Sequence, residues 1–223
     1  MMIRGCEFEL DPNRNATEFK MYRKGRTSEQ RSISTLQKLV SRKNCLLLDV
    51  GANVGIYSVF LGSQMAAGSK IIAFEPNPEV AERLARNLEI NNLSSLAQIE
   101  PVALGASDSV GTLSVSQRNQ GASSLVINQG AQAQALEIPV RKLSTYLPQA
   151  DEHDLWILKA DIEGYEDRAL ASLLEPSLAR RPDHILMEIT HSDHWQSDLL
   201  GDLAKLGYRR VEEMDGNVLL KLD

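Results

Sequence analysis

Short apolar runs punctuate this chain, and between them apolar residues return every three or four positions. The runs at 45–50 (CLLLDV), 70–75 (KIIAFE), 97–103 (AQIEPVA), 154–160 (DLWILKA) and 184–190 (HILMEIT) predict strands, mostly buried. The stretches between them predict helices. Residues 27–43 set Ile33, Leu36, Leu39 and Val40 on one face, and a second helix leaves the first strand and runs to about Met65. Asn77 as N-cap and Pro78 at the first helical position open a third, with Val80, Leu84 and Leu88 inward and Glu79/Arg83 and Glu82/Arg86 as i,i+4 pairs on its wet side. A further helix starts near Tyr165, and the last places Trp195, Leu199, Leu203 and Leu206 on one face before Gly207 stops it. Asp215-Gly216 marks a terminal hairpin. Residues 111–116 and 136–141 read as extended. Between them, 117–135, rich in Gln, Ser, Ala and Gly, reads as a surface loop or a mobile cover over a site. Strands alternating with helices predict an α/β fold, a parallel sheet covered on both faces, with the hairpin adding antiparallel pairing at one edge.

Composition narrows this picture without redirecting it. With 223 residues, 43% of them hydrophobic, the chain can bury the core of one domain. We divide it into an N-terminal extension and helix over 1–44, packing on the core, and the main domain over 45–223. The net charge of −6 argues against general nucleic-acid binding, although residues 1–44 are basic and read as a solvated basic helix rather than an anion-binding arm. Two cysteines are too few for a disulfide scaffold, and Cys45 reads as a buried thiol. No signal-peptide core and no run long enough for a membrane span stand out, so a cytoplasmic protein without membrane partners is expected, with self-association left open.

The chemistry begins at LLLDVGANVGIYS, where the first strand stops in a glycine turn. In doubly wound sheets, ligands bind beyond the carboxyl ends of the strands. Gly51 and Gly55 let backbone approach a ligand, and the following helix offers free N–H groups. Glu75 ends the second strand, 20 residues after Gly55, where a carboxylate can accept both hydroxyls of a ribose. The turn misses the dinucleotide spacing, since Asn53 and Ile56 stand where glycines belong. Asp49 would repel a pyrophosphate but favour an ammonium or a sulfonium. S-adenosylmethionine carries both cations and no phosphate, so the pattern points to that cofactor.

The segments LLLDVGANVGIYS, AFEPNP, VALG, GASSL and LKADIEGYE resemble the FkbM-like methyltransferase family over roughly residues 20–220. The resemblance implies a Rossmann-like class I methyltransferase fold, a mostly parallel seven-stranded sheet with a C-terminal antiparallel hairpin, and methyl transfer to oxygen on a sugar or secondary metabolite. It implies that Asp49, Gly51, Ala52, Asn53 and Gly55 surround the methionine part, that Glu75 with Pro76 takes the ribose, and that Ala103 and Leu104 flank the adenine. Asp161 is implied beside the sulfonium and the acceptor, with Ser123 and Ser124 on the acceptor side. RKLSTYL departs from the Leu-Asp-Asp type of run common in the family, which leaves that wall of the substrate region open.

On the acceptor side, Asp161 and Glu163 follow the fourth strand, and Glu188 and His191 follow the fifth. An alkyl hydroxyl must lose its proton as the methyl arrives, and Asp161, Glu163 or His191 could take it. Glu163 could instead cap the next helix, and His194 reads as a surface residue. Asp161, Glu163, Glu188 and His191 could also gather a hard divalent cation, but no compact ligand motif unites them, so a metal-free site is expected. Two other readings compete: a nucleic-acid methyltransferase, which the absence of an Asn/Asp-Pro-Pro-aromatic run disfavours, and a cofactor-binding module without catalysis, which the acidic exit residues disfavour.

Overall fold

The computed structural model describes residues 1–116, 119–124, 133–148 and 152–223, with backbone alone for 116, 119–124, 133 and 134. The chain opens with strands β1 (Met2–Ile3) and β2 (Cys6–Glu7) and helices α1 (Ala16–Lys24) and α2 (Gln30–Val40). The alternating core follows: β3 (Cys45–Val50), α3 (Ile56–Gly62), β4 (Lys70–Phe74), α4 (Pro78–Ile90) and β5 (Ala97–Glu100). Next come β6 (Ala103–Leu104), β7 (Ser109–Ser116), β8 (Asn119–Ser124) and β9 (Ala133–Arg141). The chain then returns through β10 (Leu155–Ala160), α5 (Glu166–Ala169), β11 (His184–Glu188), α6 (Leu199–Lys205), β12 (Tyr208–Met214) and β13 (Asn217–Leu222).

Seven strands form the main sheet in the order β12-β13-β11-β10-β3-β4-β5. The five from β5 to β11 are parallel, and β13 runs antiparallel to both β11 and β12. The terminal hairpin thus adds antiparallel edge pairing as expected. From β3 the chain builds outward to β5, then crosses back to lay β10 on the other side of β3. That reversal opens a crevice at the carboxyl ends of β3 and β10.

The central strands are apolar on both faces because both are covered. Cys45 and Leu47 of β3 join one core with Ile33, Leu36, Val59, Phe60 and Leu84, while Leu46, Leu48 and Val50 join the other with Trp156, Leu158, Leu173 and Leu203. The N-terminal segment enters the first core through Ile3, Cys6, Phe8 and Met21. Asn77 caps α4 through Glu79 N–H with Pro78 in the first turn, and Val80, Leu84 and Leu88 are buried, as the sequence predicts.

Several elements differ from the sequence reading. The run at 97–103 is two strands: Pro101 cannot donate to a ladder, β5 ends before it, and β6 leaves for a second sheet ordered β6-β9-β7-β8. The stretch 117–135 is not all loop, because β8 pairs antiparallel with β7 and β9 begins at Ala133; backbone pairing needs no apolar pattern. Of the stretch 117–135, where a loop or mobile cover was expected, residues 117, 118 and 125–132 lie outside the described residues. The helix expected from Tyr165 is only α5, followed by a 3-10 turn at Ala171–Leu174. Trp195 precedes the last helix, whose N-terminus is set by Asp198 accepting from Gly201 N–H. Arg83 turns inward: its Nη2 lies 3.2 Å from Oε1 of Glu18, a fully buried residue of α1.

Candidate active site

Two adjoining cavities open at the crevice and share Gly51, Pro76 and Ile162. The first is polar, about 110 Å³, and its walls include Thr17, Glu29, Ala52, Asn53, Tyr57, Glu75, Lys159, Asp161 and Glu163. The second is apolar and is formed by Val50, Phe74, Val102, Ala103, Leu104, Leu113 and Tyr165. Together they make a trough with one oily end and one charged end.

The glycine turn is shaped by close approach. Gly51 has a φ of 71°, and a Cβ there would stand 2.1 Å from the Asp161 carbonyl oxygen, so only glycine lets the exits of β3 and β10 meet. Gly55 does not reach the trough; its missing side chain leaves room for Leu84 of α4, which a Cβ would approach to 2.5 Å. Asn53 adopts a left-handed φ of 49° and steadies it by accepting the Val54 N–H (2.9 Å) on its own Oδ1. The same oxygen accepts from Asn15 Nδ2 at 2.8 Å, and Asn15 also caps α1 through Thr17 and Glu18 N–H.

Glu75 stands between the cavities. Its Oε2 accepts the Asn53 N–H and its Oε1 the Asn77 N–H, both at 2.9 Å. Burial pushes this carboxyl up to about 7 against the pull of those two donors. Each oxygen keeps a lone pair for a further donor.

Asp49 is placed differently from the expectation that it faces the cations of the cofactor's methionine part. It is fully buried, its Oδ2 accepts the Ser58 N–H (3.1 Å) and hydroxyl (2.6 Å), and it does not line the trough. Lys159 Nζ lies 3.6 Å from its Oδ1 and donates to the carbonyl oxygens of Gly51 (2.7 Å) and Val50 (3.3 Å). Burial pulls the Lys159 ammonium down, but Asp49, Asp161 and Glu29 together outweigh it and hold the group above the ordinary lysine value. The negative charge facing the trough comes instead from Asp161, Glu163 and Glu29.

Beyond the polar cavity lies a cluster of weak acids and imidazole. Glu163 adopts a φ of 58°, a strained conformation for a glutamate, and its Oε2 lies 3.3 Å from His191 Nε2. Glu163, Glu188 and His191 each bring one ligating atom within 4.8 Å of the others, as do His191, Asp193 and His194. Thr190 Oγ1 donates to Glu188 Oε1 at 2.5 Å. Burial, then the charge of Asp161, pushes Glu188 up to about 7; the same two causes raise Glu163. Glu163 does not cap α5. Glu166 holds that turn, accepting the Ile162 N–H (2.9 Å) and the Trp195 Nε1–H (2.8 Å). His194 is exposed and stacks on His191. Ser123 and Ser124 lie on β8, and their side chains are outside the described residues.

Sequence reasoning missed Thr17, Glu29, Tyr57 and Lys159. A signal existed for Lys159, since a lysine inside the run LWILKA demands a buried partner. Thr17 and Glu29 carry no local signal.

The Methyltransferase FkbM domain matches residues 49–210 of this chain. Methyltransferase sdnD of Sordaria araneosa is 37% identical over 70 residues, 31% of this chain and 26% of that protein. Methyltransferase 1 of Beauveria bassiana (strain ARSEF 2860) is 25% identical over 145 residues, 57% of each chain. The chain thus spans about half, or less, of the length of these curated relatives. The crystal structure of Methyltransferase FkbM from Methylobacillus flagellatus KT shares the fold, with a TM-score of 0.50 at 19% identity over 81% of this chain and 43% of that one. The strand order, the crevice at the β3–β10 reversal and the match across most of the main domain agree: this chain belongs to the FkbM family of methyltransferases.

Proposed function

We propose that this chain moves a methyl group from S-adenosylmethionine to a hydroxyl oxygen of a small acceptor, a sugar or a secondary metabolite. One observation carries the reading: the charged end of the trough, at Asp161 and Glu163, opens onto the Glu163–Glu188–His191 cluster. The residues fit the cofactor. The apolar wall of Phe74, Val102, Ala103, Leu104 and Leu113 suits a planar base, and the spare lone pairs of Glu75 suit the ribose hydroxyls. The carboxylates at the far end suit ammonium and sulfonium and would repel the pyrophosphate of a dinucleotide. When bound, the cofactor supplies an electrophilic methyl group. Asp161 orients the acceptor hydroxyl, and the proton leaving that hydroxyl passes to the adjoining cluster, where Glu188 is poised near neutrality.

Incubation with methyl-labelled S-adenosylmethionine and a panel of hydroxylated acceptors, followed by magnetic resonance of the product, tests the reading. An O-methyl ether is expected; a methyl on nitrogen, carbon or nucleic acid overturns it. Asp161→Asn should lower turnover by about 10²-fold or more with unchanged melting, the scale of a misplaced reacting group. Glu188 must be ionised to accept a proton and its carboxyl is raised, so turnover should climb as pH passes about 7. That limb should vanish in Glu188→Gln.

A further inference from the structure

We propose that Glu29, contributed by the N-terminal segment outside the matched family domain, is the carboxylate that recognises the α-ammonium of the cofactor's amino-acid part. The inference rests on the cofactor assignment above.

Glu29 lies on the wall of the polar cavity and, like Thr17, comes from the N-terminal segment: it precedes α2, whereas the other acids follow β4 and β10. Its ordinary role would be to cap α2, and it does not do so. The free N–H groups of Arg31 (2.9 Å) and Ser32 (3.0 Å) donate instead to Asp215 Oδ2, from the turn between β12 and β13. Glu29 is held in place from two other elements. Tyr57 of α3 donates its hydroxyl to Oε2 at 2.5 Å, and Asn217 of β13 reaches the same oxygen at 3.5 Å. A half-buried carboxylate on a cavity wall, excused from capping and fixed by neutral donors, suits a cation.

The protein's own cation there does not fill that role. Lys159 is spent on the Gly51 and Val50 carbonyls and on Asp49. Burial, then the charge of Asp161, raises Glu29 against the pull of Lys159, and the cavity wall sets four acids, Glu29, Glu75, Asp161 and Glu163, against that one lysine. If the base lies at the oily end and the ribose at Glu75, the amino-acid part reaches the end walled by Glu29, Asn53, Tyr57 and Asp161. Of its charged groups, the ammonium alone has protons to donate to a carboxylate oxygen, whereas the sulfonium has none and the carboxylate is repelled.

The test compares ligands that differ in that part alone. Titration calorimetry on the full chain would use S-adenosylhomocysteine, its analogue lacking the α-amino group, and 5′-methylthioadenosine, which lacks the amino-acid part. Wild type should bind S-adenosylhomocysteine roughly 10- to 100-fold more tightly than the deaminated analogue, the range for a charge-assisted hydrogen bond. Glu29→Gln should lose that margin while changing methylthioadenosine affinity less than about threefold. Equal losses for all three ligands, or an unchanged preference for the amine, overturn the role of Glu29 and leave the cofactor assignment standing. Failure of wild type to bind S-adenosylhomocysteine or methylthioadenosine overturns both. Should Glu29→Gln not fold, Tyr57→Phe decides: it leaves the carboxylate in place and should retain the amine preference, whereas its loss would make the hydroxyl the recognising group and overturn the proposal.

Discussion

Asp49 and Lys159 stand opposite each other on adjacent parallel strands, both buried at the centre of the sheet. Their pairing, with Ser58 and the Gly51 carbonyl as outer partners, ties β3, β10, α3 and the glycine turn at one point. Removing one member leaves a buried charge without its partner, so Lys159→Met should destabilise the protein by about 3–5 kcal/mol in urea unfolding. Asp49→Asn combined with Lys159→Met should recover most of that loss; if it does not, the pair is not the source. Here the limit of sequence reading is plain. The acid at the end of LLLDV is visible, but not which way it faces, because its partner lies 110 positions away and becomes a neighbour only when β10 joins β3. Glu75, Asn53 and Asp161 were legible because the backbone itself carries them to the crevice. With Asp49 turned away, Asp161 and Glu163 are the acids that face the trough in its place.

At the scale of elements, local signals gave the buried strands and the α4 cap, where apolar runs and Asn-Pro are decisive. They failed where partners are distant. The N-terminal segment is strapped to α4 by polar side chains: Asn87 Oδ1 accepts the Glu9 N–H, Asn91 Oδ1 accepts the Glu7 N–H, Arg86 pairs with Glu9, and Arg83 pairs with Glu18. In sequence Arg83 and Arg86 read as part of a wet helix face, because the surface that covers them is not local. The α2 terminus is another case. Asp215-Gly216 is legible as a hairpin turn, yet its aspartate also caps a helix through Arg31, 184 positions earlier. Asp215→Ala should therefore cost about 1 kcal/mol of stability by chemical denaturation, the usual worth of a cap. A change within a few tenths of a kcal/mol would mean that water replaces it.

For the molecule as a whole, binding should appear as stability, because the trough joins residues spread from Thr17 to Tyr165. With S-adenosylhomocysteine at 100 times its dissociation constant, linkage contributes about 2.7 kcal/mol. For a domain of this size that is roughly 5–10 °C in melting temperature. The same concentration of NAD should give no shift, and an NAD shift as large would contradict the cofactor assignment. Among the described residues no helix is long and apolar enough to cross a membrane. The smaller sheet extends this trough: β6 and β7 supply Ala103, Leu104 and Leu113 to the apolar wall, so that wall is finished by strands outside the seven.

The two cysteines happen to divide the molecule between them. Cys6 sits in the strapped N-terminal segment, Cys45 at the start of the central strand, and both thiols are free and buried. They are therefore native clocks for two different openings. A thiol reagent can reach Cys6 whenever the strap lifts, but Cys45 only when the sheet itself comes apart, and burial further slows Cys45 by raising its thiol to about 11. Two labelling rates from one unmodified chain would thus time the docking of its first helices separately from the unfolding of its core.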